Sequence, residues 1–379
     1  MKKSELQPVS GDRTLWEIAG VFFKLGCLGF GGPAVHIAMM EEEVVRKRRW
    51  ISADHFLDLI GATNLIPGPN STEMTMHCGH ERGGWKGLIV AGMCFIFPAV
   101  IITAIIAWAY QRYGALPEVQ PFIYGIKPAI IAIIVALMIS LGRKALKSTT
   151  LAVIGALALL LALIGINEII VLFGAGAVGV LAHLLTKRSL ILSLALPTML
   201  IADATQLSPM KLFWIFLKIG SILYGSGYVL FAFLEAELVA KDLLSRPELI
   251  DAIAVGQFTP GPVFSAATFI GWQVGGWQGA IAATVGIFLP SFLFVAFLNP
   301  LIPRLRKSPV MSAFLDTINV ASVAVIIAVA VDMGRETFLD WRTVVIAVAG
   351  FLVSFYFRKL NSAFLVVGGA ILGYILWWI

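Results

Sequence analysis

From Ala252 to Pro303 the chain runs for 52 residues without one Asp, Glu, Lys, Arg or His. A stretch that long can hide its side chains only in a bilayer, where about 20 apolar residues make one helical crossing. The whole sequence agrees: mean hydropathy is +0.90, 59% of its 379 residues are hydrophobic and 13% are charged, where a soluble chain would be near 25% charged. The expected class is therefore an all-α membrane protein that crosses the bilayer many times. The net charge of +6 resides mostly in loops and makes no case for nucleic acid as a partner. Cys27, Cys78 and Cys94 have no paired spacing, and Cys78-x-His80 alone is too little for a zinc site. No metal, cofactor or enzymatic motif is expected, and no cleavable signal peptide precedes the first apolar stretch, which carries Glu17 and Lys24.

Inside the uncharged run stands Gln257-Phe258-Thr259-Pro260-Gly261-Pro262, and an earlier copy reads Asn64-Leu65-Ile66-Pro67-Gly68-Pro69-Asn70-Ser71-Thr72-Glu73. Pro-Gly-Pro cannot continue a helix, because the prolines lack N–H donors and disfavour helix in the residue before them. Broken backbone at membrane depth survives only where protein or a water-filled cavity satisfies it. Two such breaks in matching positions point to the binding site of a transporter.

The matches extend beyond the breaks. Phe23-Lys24-Leu25-Gly26 corresponds to Leu217-Lys218-Ile219-Gly220, Phe30-Gly31-Gly32 to Tyr224-Gly225-Ser226, and Glu41 and Glu43 to Glu235 and Glu237. Gly83-Gly84-Trp85 corresponds to Gly275-Gly276-Trp277, and Phe97-Pro98 to Leu289-Pro290. The chain is a tandem duplication, with repeats at 12–186 and 208–379 and a cytoplasmic linker at 187–207. In each repeat the first apolar stretch (15–40 in the first) is expected as one broken helix that crosses the membrane. The pieces 52–64 and 70–82 are each too short to span and predict a re-entrant hairpin. Plain spans follow at 88–110, 119–142, 149–166 and 169–186.

Lys and Arg near span ends set orientation. They place Arg82/Lys86, Arg143/Lys144/Lys147 and Lys187/Arg188 in the cytoplasm, and likewise Arg304/Arg306/Lys307 and Arg358/Lys359. Gly83-Gly84 then lies inside and Gly275-Gly276 outside. The halves are inverted, with five crossings each: about ten transmembrane helices and two re-entrant hairpins.

Helix starts in a low-dielectric site expose unpaired N–H groups and bind anions. Asn70 is expected as an N-cap with Glu73 at capping-box spacing, and Ser71 and Thr72 add hydroxyl donors. Gly31, Gly32, Gly68, Gly225, Gly227 and Gly261 allow close backbone approach. Lys24 and Lys218 sit inside apolar helices, where a charge needs a partner or a substrate; pairing with a carboxylate such as Glu17 is the plainer alternative. His36 titrates near neutral pH or is structural. Glu73 and His77, four apart on one helical face, are candidates to relay a proton or simply to pair.

These residues together resemble the chromate ion transporter family in its long, two-domain form. The resemblance rests on Phe23 to Pro33 with His36, on Trp50 with Asp58, and on Pro67 to Glu73. It continues through Gly83-Gly84 to Phe97-Pro98 and recurs at Gly225-Ser226-Gly227 and Gly256 to Pro262. It implies a chromate exporter of the cell inner membrane, driven by proton motive force and giving chromate resistance; the expected substrates are tetrahedral oxyanions, chromate first and sulfate as a competing or native one. The oxyanion site is expected to be built from Lys24, Gly31, Gly32, Pro33, His36, Pro67 to Thr72, Lys218, Gly225 to Gly227, Gln257 and Thr259 to Pro262. The lipid bilayer is a partner and a second copy of the chain a candidate one. A passive anion channel of inverted halves is the alternative. The second half has no counterparts to Pro33, His36, Asn70 or Glu73, so the halves are expected to have unequal roles.

Overall fold

The computed structural model describes residues 12–187, 208–224, 227–298, 308–357 and 360–379. Residues 188–207 of the linker, Gly225, Ser226 and the cationic groups at 304–307 and 358–359 lie outside the described residues. All regular structure among the described residues is helical. Five helices are long and apolar enough to cross a membrane, and three shorter apolar ones accompany them.

Helix α1 (Asp12–Leu28) ends at a glycine-rich break, and α2 (Pro33–Met40) continues into a π-helical segment, Glu41–Lys47. The expectation of one broken helix across the membrane is not met, because the second piece folds back along the first. Arg48 Nε lies 3.9 Å from Glu17, Lys24 Nζ 3.2 Å from Glu43, and the Phe22 and Trp50 rings meet at 6.4 Å. The reversal is possible because Gly31 and Gly32 take φ of 105° and 84°, values a side chain disfavours, and Pro33 pre-sets the first turn of α2.

The Pro-Gly-Pro stretch joins α3 (Ala53–Thr63) to α4 (Asn70–Tyr113) in a second hairpin. The start of α3 and the end of the first arm of α4 meet at His55–Glu81, 3.1 Å. Within α4 the helical angles fail at Gly83 (φ −134°, ψ 17°) and Gly84 (φ 58°, ψ −148°). The chain doubles back there, with Gly79 against Gly87; a Cβ on either would strike the other's carbonyl. Small residues at such a crossing let two helices touch backbone to backbone. Helices α5 (Gln120–Ala145), α6 (Thr149–Leu163) and α7 (Glu168–Lys187) complete the first half.

The second half repeats this plan: α8 (Pro209–Ile222), a return piece containing α9 (Leu230–Leu234), then α10 (Arg246–Phe258) and α11 (Ala266–Leu298). Its turn at Gly275 (φ −136°, ψ 20°) and Gly276 (φ 59°, ψ −154°) copies the angles of the first. Helices α12 (Pro309–Thr337), α13 (Trp341–Tyr356) and α14 (Ser362–Trp377) follow. Gly26 and Gly220, the last residues of the duplicated lysine motif, abut the backbones of Phe95 and Ile287, which seats α1 and α8 on the long arms of α4 and α11.

The two long arms run antiparallel. Trp85 meets Phe297 at 6.2 Å, whereas Trp272 Nε1 donates to Gln111 at 3.1 Å and Gln273 Nε2 to the Ala107 carbonyl at 2.9 Å. The first Gly-Gly turn therefore lies at one end of the molecule (the Arg82 face) and the second at the other (the Gln111 face). Arg82 pairs with Glu17 at the first, and Arg246 with Glu235 and Glu336 at the second.

Candidate functional site

The four breaks meet at the centre, and the two halves satisfy each other's broken backbone there. Gly68 N–H donates to the Leu223 carbonyl and Gly261 N–H to the Gly29 carbonyl, both at 2.8 Å. Leu223 and Gly29 are duplicates, as are Gly68 and Gly261, so the pair of bonds has approximate two-fold symmetry. Gly68 and Gly261 take φ of 137° and 91°. Beside them stand two further duplicates: a Cβ on Gly68 would strike Ser291 Oγ, and one on Gly261 would come 2.8 Å from Ala99 Cβ.

His36 braces this crossing. Its Nε2 bonds the Gly29 carbonyl at 2.7 Å, the same oxygen that accepts from Gly261, and its ring stands edge-on to Phe95 at 5.3 Å. Tyr228 brings its hydroxyl to Gly32, and Pro33 lies beside Gly227, so the first break of each half touches the other. Thr259 closes the end of α10 through its hydroxyl to the Val255 carbonyl, 2.6 Å.

The expected capping box at Asn70 is absent. Pro69 occupies the N-cap position without a side-chain bond, and Asn70 Nδ2 turns back to Asn64 Oδ1 at 2.8 Å. Glu73 is thereby left for another task. It is fully buried, His77 one turn on is 1% exposed, and Ser71 and Thr72 are buried with them. The Ser291 hydroxyl stands beside the Glu73 carboxyl and faces the same point next to Gly68. Neither carboxyl oxygen, nor either His77 nitrogen, makes a hydrogen bond of ordinary geometry among the described residues.

A cavity of about 1160 Å³ opens toward the Arg82 face and reaches inward to the first break. Lys24, Lys47, Arg143 and Lys144 line it against two carboxylates, Glu42 and Glu43, with apolar walls from α5 and an inner end formed by Gly31, Tyr228, Asn361 and Ser362. Of the described residues expected from sequence, only Lys24 and Gly31 line this cavity. The Pro-Gly-Pro loops, Ser71, Thr72, Glu73 and Gln257 are buried behind it. Lys218 belongs to the other half, where it pairs with Glu237 at 2.6 Å; Lys24 pairs with Glu43, and neither lysine pairs with Glu17. Tyr228, Asn361 and Ser362 were not legible as site residues. Ser362 comes from the last helix, yet its hydroxyl reaches the Gln257 carbonyl at 3.3 Å, a contact no local pattern announces.

Two repeats, antiparallel long arms and broken helices joined at one central crossing define a multi-pass membrane transport protein. The sequence matches the family described as Chromate transporter over residues 16–180 and 210–374, and the chain belongs to that family. It is 29% identical over 382 residues to a probable chromate transport protein of Synechococcus elongatus, covering 96% of both chains. A chromate transport protein of Cupriavidus metallidurans is 29% identical, over 95% of this chain and 92% of that one. One of Pseudomonas aeruginosa is 28% identical, over 93% and 90%. No solved structure matches.

Proposed function

We propose that the protein carries chromate, with sulfate as a competing substrate, out of the cell across the inner membrane by alternating access. The observation that carries this reading is the cavity on the Arg82 face, whose cationic lining concentrates a dianion by its field and whose inner end reaches the first break, in front of the crossing of broken helices. The opposite face is closed by the Trp272–Gln111 and Gln273–Ala107 bonds. A buried cluster adds to the closure: Tyr110 donates to Asp251 at 2.6 Å, and Lys127 lies 3.4 Å from the same carboxylate. Open on one face and closed on the other is what a carrier requires, whereas a channel needs a continuous path. A dianion leaving a cell that is negative inside gains about 2.3 kcal/mol per charge per 100 mV, so the potential alone drives export; the coupled proton raises the gradient that can be reached. The test is counterflow in proteoliposomes: unlabelled chromate loaded inside should accelerate entry of labelled chromate above the rate into empty vesicles. Flux that merely follows the gradient, with no acceleration, would establish the channel instead.

We read the five long apolar helices and the three shorter ones as the membrane-embedded elements of the scaffold, four per half, with the hairpin arms of each half meeting at the centre. On that reading four crossings return Lys187 to the Arg82 face, while Ser208 begins on the Gln111 face. The Arg82 face is cytoplasmic, since it gathers Arg82, Lys86, Arg143 and Lys144. Lys147 and Asp316 pair at 2.7 Å, which ties the segment at Ser148 to the early turns of α12, whose N-cap is Ser308; we assign both serines to that face. Cysteines at both positions should resist an impermeant thiol reagent added to whole cells, and one at Asn167 should react. Different labelling of Ser148 and Ser308 would overturn the inverted arrangement.

A further inference from the structure

The duplication preserves more than the lysines. In the first half Lys24 pairs with a carboxylate 19 residues on, Glu43, which also takes Lys47 four residues later at 3.4 Å, and Arg48. The second half repeats both spacings: Lys218 reaches Glu237 at 2.6 Å, and Lys241 reaches its other oxygen at 2.8 Å. Each time one carboxylate, 8% exposed at Glu43 and 5% at Glu237, bridges two or more cations. The first cluster lies in the wall of the cavity. The second belongs to the half whose Gly-Gly turn lies on the Gln111 face, and Lys218 is more covered there than Lys24, 30% against 56%.

We infer that Glu43 and Glu237 are internal counter-ions at two rim anion sites, one per face, and that a passing oxyanion displaces each from its lysines. Glu237 offers one oxygen to each of two ammonium groups, and Glu43 offers one oxygen to both ammonium groups and the other to Arg48; either carboxylate presents two oxygens where a tetrahedral dianion presents four. At Glu237 two ammonium groups face one carboxylate. At Glu43 the cations Lys24, Lys47 and Arg48 bind that carboxylate more closely than Lys47 binds Glu42 (3.7 Å) or Arg48 binds Glu17 (3.9 Å). A doubly charged oxyanion in either place therefore offers the cations more charge than the single carboxylate does. Lysine suits such an exchange: it is a point charge on a flexible stem with three donors, able to turn from one acceptor to another. The carboxylate in turn keeps the lysines neutralised within apolar helices when no anion is present, which an empty site could not do at tolerable cost. Opposite placement gives one entry site and one exit site of the same chemistry, as carrying an anion through a duplicated fold demands. This rests on the oxyanion-carrier reading above.

The experiment uses the full chain in right-side-out and inside-out membrane vesicles, with labelled chromate supplied to one face at a time. Glu43→Gln should lower the KM for chromate offered at the Arg82 face by about fivefold, the scale of one lost competing ion pair, and leave the other face unchanged. Glu237→Gln should do the reverse. An unchanged KM at both faces, or an equal change at both, would overturn the inference. If either Gln variant fails to reach the membrane, Lys241→Met decides, since its side chain is 52% exposed: KM should rise at the Gln111 face alone, and no sided change would overturn the inference. Absence of chromate transport by the native chain from either face would count against the carrier reading itself, which keeps the two failures distinct.

Discussion

Gly68→Ala and Gly261→Ala should each remove most of the transport activity and lower the melting temperature of the detergent-solubilised protein. Both residues hold positive φ, which costs an alanine about 1–3 kcal/mol. Both have their Cβ position occupied, by Glu73 and Ser291 in one case and by Ala99 in the other, adding about 1–3 kcal/mol of overpacking. Relief of either strain by moving the loop breaks a bond between the halves, Gly68 to Leu223 or Gly261 to Gly29, and strands buried donors and acceptors at membrane depth. Against a total stability of about 5–15 kcal/mol, the sum is disabling. Gly165→Ala is the control. Gly165 has φ of 86° with nothing near its Cβ position, so it should show the backbone cost alone and keep its transport. Native activity and melting temperature in Gly68→Ala would refute the tight crossing.

The duplication and the central breaks were legible because they are written in residue types that chemistry restricts: proline without a donor, glycine at positive φ, lysine in an apolar helix. What those residues touch was less legible. Glu17 is the nearer carboxylate to Lys24 in sequence, but the reversal at Gly31 and Gly32 brings Glu43 instead. The signal that could have found it was present, since Lys24/Glu43 and Lys218/Glu237 share one spacing. The same reversal is why the first apolar stretch was read as one helix: two helical pieces separated by glycines look alike whether the chain continues or returns. The capping box expected at Asn70 is built instead at Ser245 and Glu248, where both bonds are present. The difference is that Pro69 already holds the N-cap position at Asn70, whereas Ser245 holds it at α10. Asn361 and Ser362 complete the cavity from the far end of the chain, a juxtaposition fixed only by packing. Gly125 lies against Gly369 and Gly373, seating α14 on α5 with Ser362 at the crossing.

The halves also depart from two-fold symmetry where proton chemistry would sit, and this leads to the second large effect. The position equivalent to Glu73 is Ala266 and that equivalent to His77 is Ile270, so only the first half carries titratable groups beside its Pro-Gly-Pro loop. Glu73 is fully buried, without a counter-charge or an ordinary hydrogen bond among the described residues. Its neutral and ionised states differ greatly in cost in such a place, so proton binding there is expected to respond to whatever else enters or leaves the crossing. Glu73 also abuts Gly68, whose N–H ties the halves together, so a change in its charge bears directly on that contact. Glu73→Gln keeps the shape and fixes the charge at zero. In the native protein, lowering the external pH should speed chromate export; in Glu73→Gln that response should vanish, while chromate still protects the purified protein against thermal unfolding. His77→Gln should weaken the pH response without abolishing it, because the carboxyl remains. A native pH response in Glu73→Gln would remove Glu73 from the coupling and leave the membrane potential as the driving force.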